Sequence, residues 1–159
     1  MTSRGCAAAL LLAALVASGC GSWGFYPGFV SRSPSGESEI RVMRNFPGAA
    51  AEYLFRVEVS SPKGTAVIYR NETRAAIGLV EAHWSHDGGA VGLLACNMFN
   101  KHLSALVGYD LVHGRVLDGS AFRSVLEEQI RRKYSLPQDA DAINWACSEA
   151  GNAAYSSHS

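Results

Sequence analysis

Between residues 39 and 117 apolar side chains recur at every second position, in short runs broken by turn residues. A period of two is the signature of strands with one covered face. Ile40–Arg44 is the first such run. In Tyr53–Ser60 the residues Tyr53, Phe55, Val57 and Val59 share one side, and Leu54, Arg56, Glu58 and Ser60 share the other. Ser61-Pro-Lys-Gly64 is a turn, and Thr65–Arg70 its hairpin partner. Ala76–Trp84 follows, and Asp87-Gly88 is the strongest hairpin signal in the chain. Ala90–Cys96 is apolar on both sides, which predicts a central strand covered on both faces. Leu103–Val112 and Arg115–Leu117 close the β region, with His113-Gly114 turning between them.

After Asp118 the period changes. Phe122, Val125, Leu126, Ile130 and Tyr134 fall at helical spacing, and Glu127/Arg131 and Glu128/Arg132 form i,i+4 pairs on the other side. Asp118 or Ser120 is positioned to cap this helix, and Pro137 to end it. A second short helix is expected over 139–150, carrying Ile143, Trp145, Ala146 and Cys147. Strands followed by helices predict an α+β fold: one antiparallel meander of five or six strands, then two C-terminal helices. The helix should lie on one face of that sheet through Phe122, Val125, Leu126 and Ile130. At 159 residues, 48% hydrophobic and 18% charged, the chain fits one globular domain, placed at 38–150, with a polar tail at 151–159.

The N-terminus carries a different pattern. Arg4 precedes an unbroken apolar stretch from Cys6 to Ala17, shorter than the ~20 residues that span a bilayer. Small residues Ala17, Ser18 and Gly19 lead directly to Cys20. The segment Leu15-Val-Ala-Ser-Gly-Cys20 resembles the bacterial lipobox, departing from it at Ala17, where leucine is commonest. The resemblance implies cleavage of residues 1–19, a lipid with palmitate-type acyl chains on Cys20, and a membrane as partner. Gly21, where an aspartate would signal inner-membrane retention, favours the outer membrane or cell surface.

Of the four cysteines, Cys6 leaves with the signal peptide and Cys20 takes the lipid, so Cys96 and Cys147 remain as an even pair. In an oxidising compartment a disulfide is expected, and closing a loop of about fifty residues contributes roughly 4 kcal/mol in the chain-entropy picture. Residues 20–37, rich in Gly, Ser and Pro, read as a lipidated cysteine and a flexible tether. Trp23, Phe25, Tyr26 and Phe29 within it are suited either to the membrane interface or to packing on the domain.

Residues 83–117 resemble one blade of a WD40- or TolB-like propeller. The resemblance rests on His83-Trp-Ser-His-Asp-Gly-Gly89 and Tyr109-Asp-Leu-Val-His-Gly-Arg-Val116, with His86 where proline is usual. It implies strand–turn–strand geometry for about a fifth of the chain and no function. A closed propeller needs at least four blades of ~40–45 residues, so length excludes one.

Candidate chemistry is sparse. His83, His86, His102, His113, Asp87 and Asp110 cluster in sequence around two hairpins and form the one candidate acid–base or metal constellation. Asp87 and Asp110 are equally explained by turn hydrogen bonding. Ser85 and Ser120 lack a nucleophile-elbow context, and no glycine loop would cradle phosphate. Asn71-Glu-Thr73 matches a glycosylation sequon. A formal net charge of zero argues against nucleic-acid binding, and Arg131-Arg-Lys133 reads as a solvated helix side. The expectation is a non-enzymatic, cofactor-free binding or structural module of the cell envelope, holding an envelope protein or polymer. The alternatives are a small enzyme or metal-binding protein using His83, His86 and His113, or an inhibitor of a periplasmic hydrolase.

Overall fold

The computed structural model describes residues 25–45, 54–97 and 99–150. Cys20, Trp23 and Tyr53 lie outside them. Within them the chain is α+β, as its two periodicities predict, but the strands divide into two sheets. β1 (Phe25–Arg32), β2 (Glu39–Asn45), β3 (Leu54–Ser61) and β4 (Gly64–Arg70) form one four-stranded antiparallel meander. β5 (Ile77–Trp84), β6 (Ala90–Asn97), β7 (Leu103–Asp110) and β8 (Arg115–Asp118) form the second. The single sheet of five or six strands is thus corrected to two sheets of four. Period-two alternation says which residues share a face. It does not say whether six residues between β4 and β5 turn a hairpin or cross to a new layer.

That crossing is held by Asn71, the sequon asparagine, whose side-chain oxygen accepts the Phe55 N–H while its amide donates to the Thr73 carbonyl. The second correction concerns β1. Phe25–Arg32 was expected within the tether, yet it pairs antiparallel with β2 across a bulge between Pro27 and Phe29. Phe29 packs into the core between the sheets, and Ser31 accepts a hydrogen bond from the Trp84 indole at 3.2 Å.

Three layers result. Ile40, Val42, Phe55, Val57 and Val59 from the first sheet meet Val91, Leu93, Ala95, Ala105 and Val107 from the second. The other face of the second sheet meets the helices. α1 (Ser120–Tyr134) lays Leu126 and Ile130, both 0% exposed, against Leu94 and Cys96. α2 (Ala142–Trp145) is a single turn capped by Asp141, which accepts the Asn144 N–H, and it runs on into a π-helical turn at Ala146–Ala150. Cys147 in that turn is bonded to Cys96 of β6, with the Cα atoms 5.1 Å apart.

α1 departs from expectation at both ends and along one edge. Its N-cap is Gly119, without a side-chain bond, while Asp118 accepts the Ser120 N–H at 3.0 Å. It stops at Ser135, in the left-handed region, two residues before Pro137. Phe122 lies flat on Gly92 and Gly108, opposite each other on β6 and β7, and a Cβ on either glycine would sit within 2.6 Å of the ring. Val125 is not buried; it is 38% exposed. The Glu128/Arg132 pair forms on the solvent side at 2.8 Å, whereas the Glu127/Arg131 pair, at 3.5 Å, is half-buried, with Arg131 donating also to the Ala140 carbonyl.

An aspartate at Leu126 would place an unpaired carboxylate between α1 and β6. Leu126→Asp should therefore destabilise the fold by about 3–5 kcal/mol, read as a lowered denaturation midpoint. An unchanged midpoint would show that the stripe is not buried.

Candidate functional site

The six residues expected to cluster occupy three separate places. The β5–β6 and β7–β8 turns share one end of the second sheet, since Ala90 is paired with Asp110 and the Leu111 N–H donates to the Gly89 carbonyl. There Asp87 accepts from the Ser85 hydroxyl at 2.6 Å and the Gly89 N–H at 2.9 Å, bonds that hold its carboxyl below the ordinary range. Asp110 accepts the His113 N–H at 3.0 Å and contacts the His113 ring at 2.7 Å. Those two bonds, with Arg115 beyond, lower its pKa to about 2. Both aspartates are turn fasteners. His86 is exposed at the same end, beside Asp87. His102 lies exposed at the opposite end of β7. Among the described residues no three His, Cys, Asp or Glu side chains come together as metal ligands would.

His83 belongs to the third place. On β5 the helix-facing positions are Leu79, Glu81 and His83, paired with Cys96, Leu94 and Gly92. β5 is the edge of its sheet, so α1 overhangs it instead of packing squarely on it. The residues α1 brings there lie one step around from its apolar stripe: Val125, Gln129 and Lys133, at i, i+4 and i+8. Lys133 donates to Glu81 Oε1, and that bond raises the lysine pKa. Gln129 Nε2 donates to Glu81 Oε2 at 3.2 Å and to the Ala82 carbonyl at 3.3 Å.

The Glu81 side chain is 7% exposed, and a carboxylate so buried is tolerated only when its oxygens find donors. Here each oxygen has one. The consequence runs on to His83. Both partners of Gln129 Nε2 are pure acceptors, which fixes the amide and turns its Oε1 toward His83 Nδ1, 3.2 Å away. An amide oxygen only accepts, so Nδ1 carries the hydrogen. In the neutral ring the lone pair is then on Nε2. The chain Glu81–Gln129–His83 thus sets the orientation and the tautomer of one imidazole.

That imidazole lines a groove of about 700 Å³, open along one side of α1, with Ser124, Val125, Glu128, Gln129, Arg132 and Lys133. Val125 supplies apolar surface, and Ser124 and His83 supply hydrogen-bonding groups. Glu128 and Arg132 are paired with each other. The arrangement suits a ligand with an apolar patch and a hydrogen-bond donor for Nε2. Sequence reading named His83 but attached it to the hairpins, and it missed Glu81, Gln129 and Lys133. The available signal was Glu81 itself, a carboxylate two residues before His83 on the same face of a mostly apolar strand.

Removing the lysine should expose the cost of that burial. Lys133→Met leaves one Glu81 oxygen without a donor and should destabilise by about 1–2 kcal/mol, the lower end because Lys133 is half exposed. Glu81→Gln in the Lys133→Met background should recover most of the loss. Additive losses in that double-mutant cycle would show the two side chains uncoupled.

In comparisons with known proteins, no family model, no curated protein and no solved structure is similar to this chain.

Proposed function

We propose that the protein is a lipid-anchored binding module of the cell envelope, non-enzymatic, with its ligand site in the groove between α1 and the β5 edge. The single observation that carries the binding half is the preset His83: a buried carboxylate and an amide are spent on holding one imidazole at the wall of a groove. A largely pre-formed groove with apolar surface and a few fixed polar groups is the ordinary form of a binding site. The address half rests on the sequence, on the apolar segment from Cys6 to Ala17 and the small residues before Cys20. On this reading Cys20 is the mature N-terminus, the outer membrane or cell surface the location, and an envelope polymer or protein the ligand. The disulfide between Cys96 and Cys147 suits an oxidising compartment. The enzymatic alternative draws on His83, His86 and His113 acting together, and these residues lie at two separate places. Inhibition of a periplasmic hydrolase would be one form of the binding reading.

Each half has its own test. Grown with a labelled palmitate analogue, cells should incorporate label into the wild-type chain and none into Cys20→Ser. Label retained by Cys20→Ser would place the lipid elsewhere.

For the groove, titration with soluble cell-wall glycan fragments should shift the His83 ring resonances. Val125→Asp should weaken that binding at least tenfold, while His86→Ala with His113→Ala leaves it unchanged. Loss of binding in the hairpin double variant, with the fold intact, would move the site to the hairpin end.

A further inference from the structure

The first sheet has one face in the core and one face that no layer of the described residues covers. Its uncovered face is not an ordinary polar surface. The register of β1 to β4 places four arginines on it, Arg32, Arg41, Arg56 and Arg70. Two carboxylates share the face, Glu39 beside Arg32 and Arg41, and Glu58 beside Arg56. Four arginines against two carboxylates leave a local surplus of two positive charges in a chain whose net charge is zero. Arg56 and Arg70 stand directly opposite each other on β3 and β4, an arrangement that repels unless an anion lies over it. The Arg70 side chain has no ion pair or hydrogen bond among the described residues.

Apolar groups lie among these charges. Val30 and Val67 are 46% and 39% exposed, and the Arg56 guanidinium stacks 4.2 Å above the Phe25 ring. Guanidinium with interspersed aliphatic and aromatic carbon matches the headgroup region of an anionic bilayer, where arginine meets phosphate and the apolar groups reach the acyl boundary.

The length of chain leading to β1 selects this occupant. β1 begins at Phe25, five residues after Cys20. At ~3.5 Å per residue the first strand can stand at most about 17 Å from a lipidated Cys20, where a tether running to residue 37 would have allowed about 60 Å. We propose that the uncovered face of the first sheet lies on an anionic membrane surface, so that the domain is docked by its sheet as well as tethered by its lipid. This rests on the lipid-anchored reading above. The helix layer and its groove, two layers away, then face outward.

The test uses the lipidated full chain in vesicles of phosphatidylcholine with and without phosphatidylglycerol. An environment-sensitive fluorophore is placed at Val67→Cys, on the face, or at Val125→Cys, in the groove. The Val67 label should shift to the blue only in vesicles containing phosphatidylglycerol, and the Val125 label in neither. Arg32→Gln with Arg70→Gln should abolish that shift while the protein still floats with the vesicles, since each arginine near an anionic surface is worth about fivefold in the docked population. A protein that floats but shows the same Val67 emission in both vesicles, or a shift at Val125 instead, overturns the docked orientation and leaves the anchor standing. A protein that floats with neither vesicle removes the anchor, and the orientation with it.

Discussion

The architecture depends on β6, a strand with no face to spare. Its side chains alternate between two cores. Val91, Leu93 and Ala95 fill the space between the sheets, and Leu94 and Cys96 the space beneath the helices; all five are at most 1% exposed. From Val91 to Cys96 no side chain of β6 is offered to water, so each of these positions is apolar or very small. That constraint explains why layers exist on both sides of the second sheet. It also explains Gly92: Phe122 occupies the volume its side chain would need. The cross-link at Cys96 fastens the third layer to the same strand.

The sequence reveals this strand because double-sided apolarity over seven residues has few other readings. It reveals the helix almost as well, since Leu126 and Ile130 sit where the period puts them. Misassigned residues lie beside the stripe. A 100° step separates adjacent helical positions, so Val125 and Leu126 are equally apolar in sequence while only one points at the sheet. The other hangs over its edge with Gln129 and Lys133. β1 is illegible for another reason. It contains Pro27 and Gly28 and ends at the serine-flanked Arg32, and Phe29 and Ser31 meet the core, so no apolar alternation marks it. Its strand conformation is imposed by the neighbouring β2 rather than by local preference.

Edges of layers are also where this protein keeps its polar interior. Under the middle of α1 a carboxylate would find no donor, because helix backbone groups are already paired. At the β5 edge the helix overhangs far enough for Gln129 and Lys133 to reach down, and Glu81 is satisfied from above while remaining dry. Such a site is destabilised by the loss of any one partner, more than an apolar packing of the same volume would be. What it gains is direction. A leucine in place of Glu81 would pack, but Gln129 would then be held by the Ala82 carbonyl alone, and the orientation and tautomer of the His83 ring would be less firmly set.

The two unlike outer faces of the molecule follow from the same layering. The second sheet is covered by helices, so its polar groups are confined to the edge and converge on one groove. Among the described residues no layer covers the first sheet, and its outward positions carry long side chains: Met43 and Glu58 there are less than a tenth exposed. Self-shielding by arginine is reversible in a way that a packed helix is not. A guanidinium on a flexible stem can leave Glu39 or Glu58 for a phosphate without disturbing the backbone beneath, and the apolar stems then remain against the sheet. A face built this way is stable in water and also able to rest on an anionic surface, which a face covered by an amphipathic helix would not be. With sheets packed about 10 Å apart, three stacked layers set the groove about 20 Å beyond the first sheet. In the docked orientation proposed above, that distance keeps the groove clear of the lipid surface.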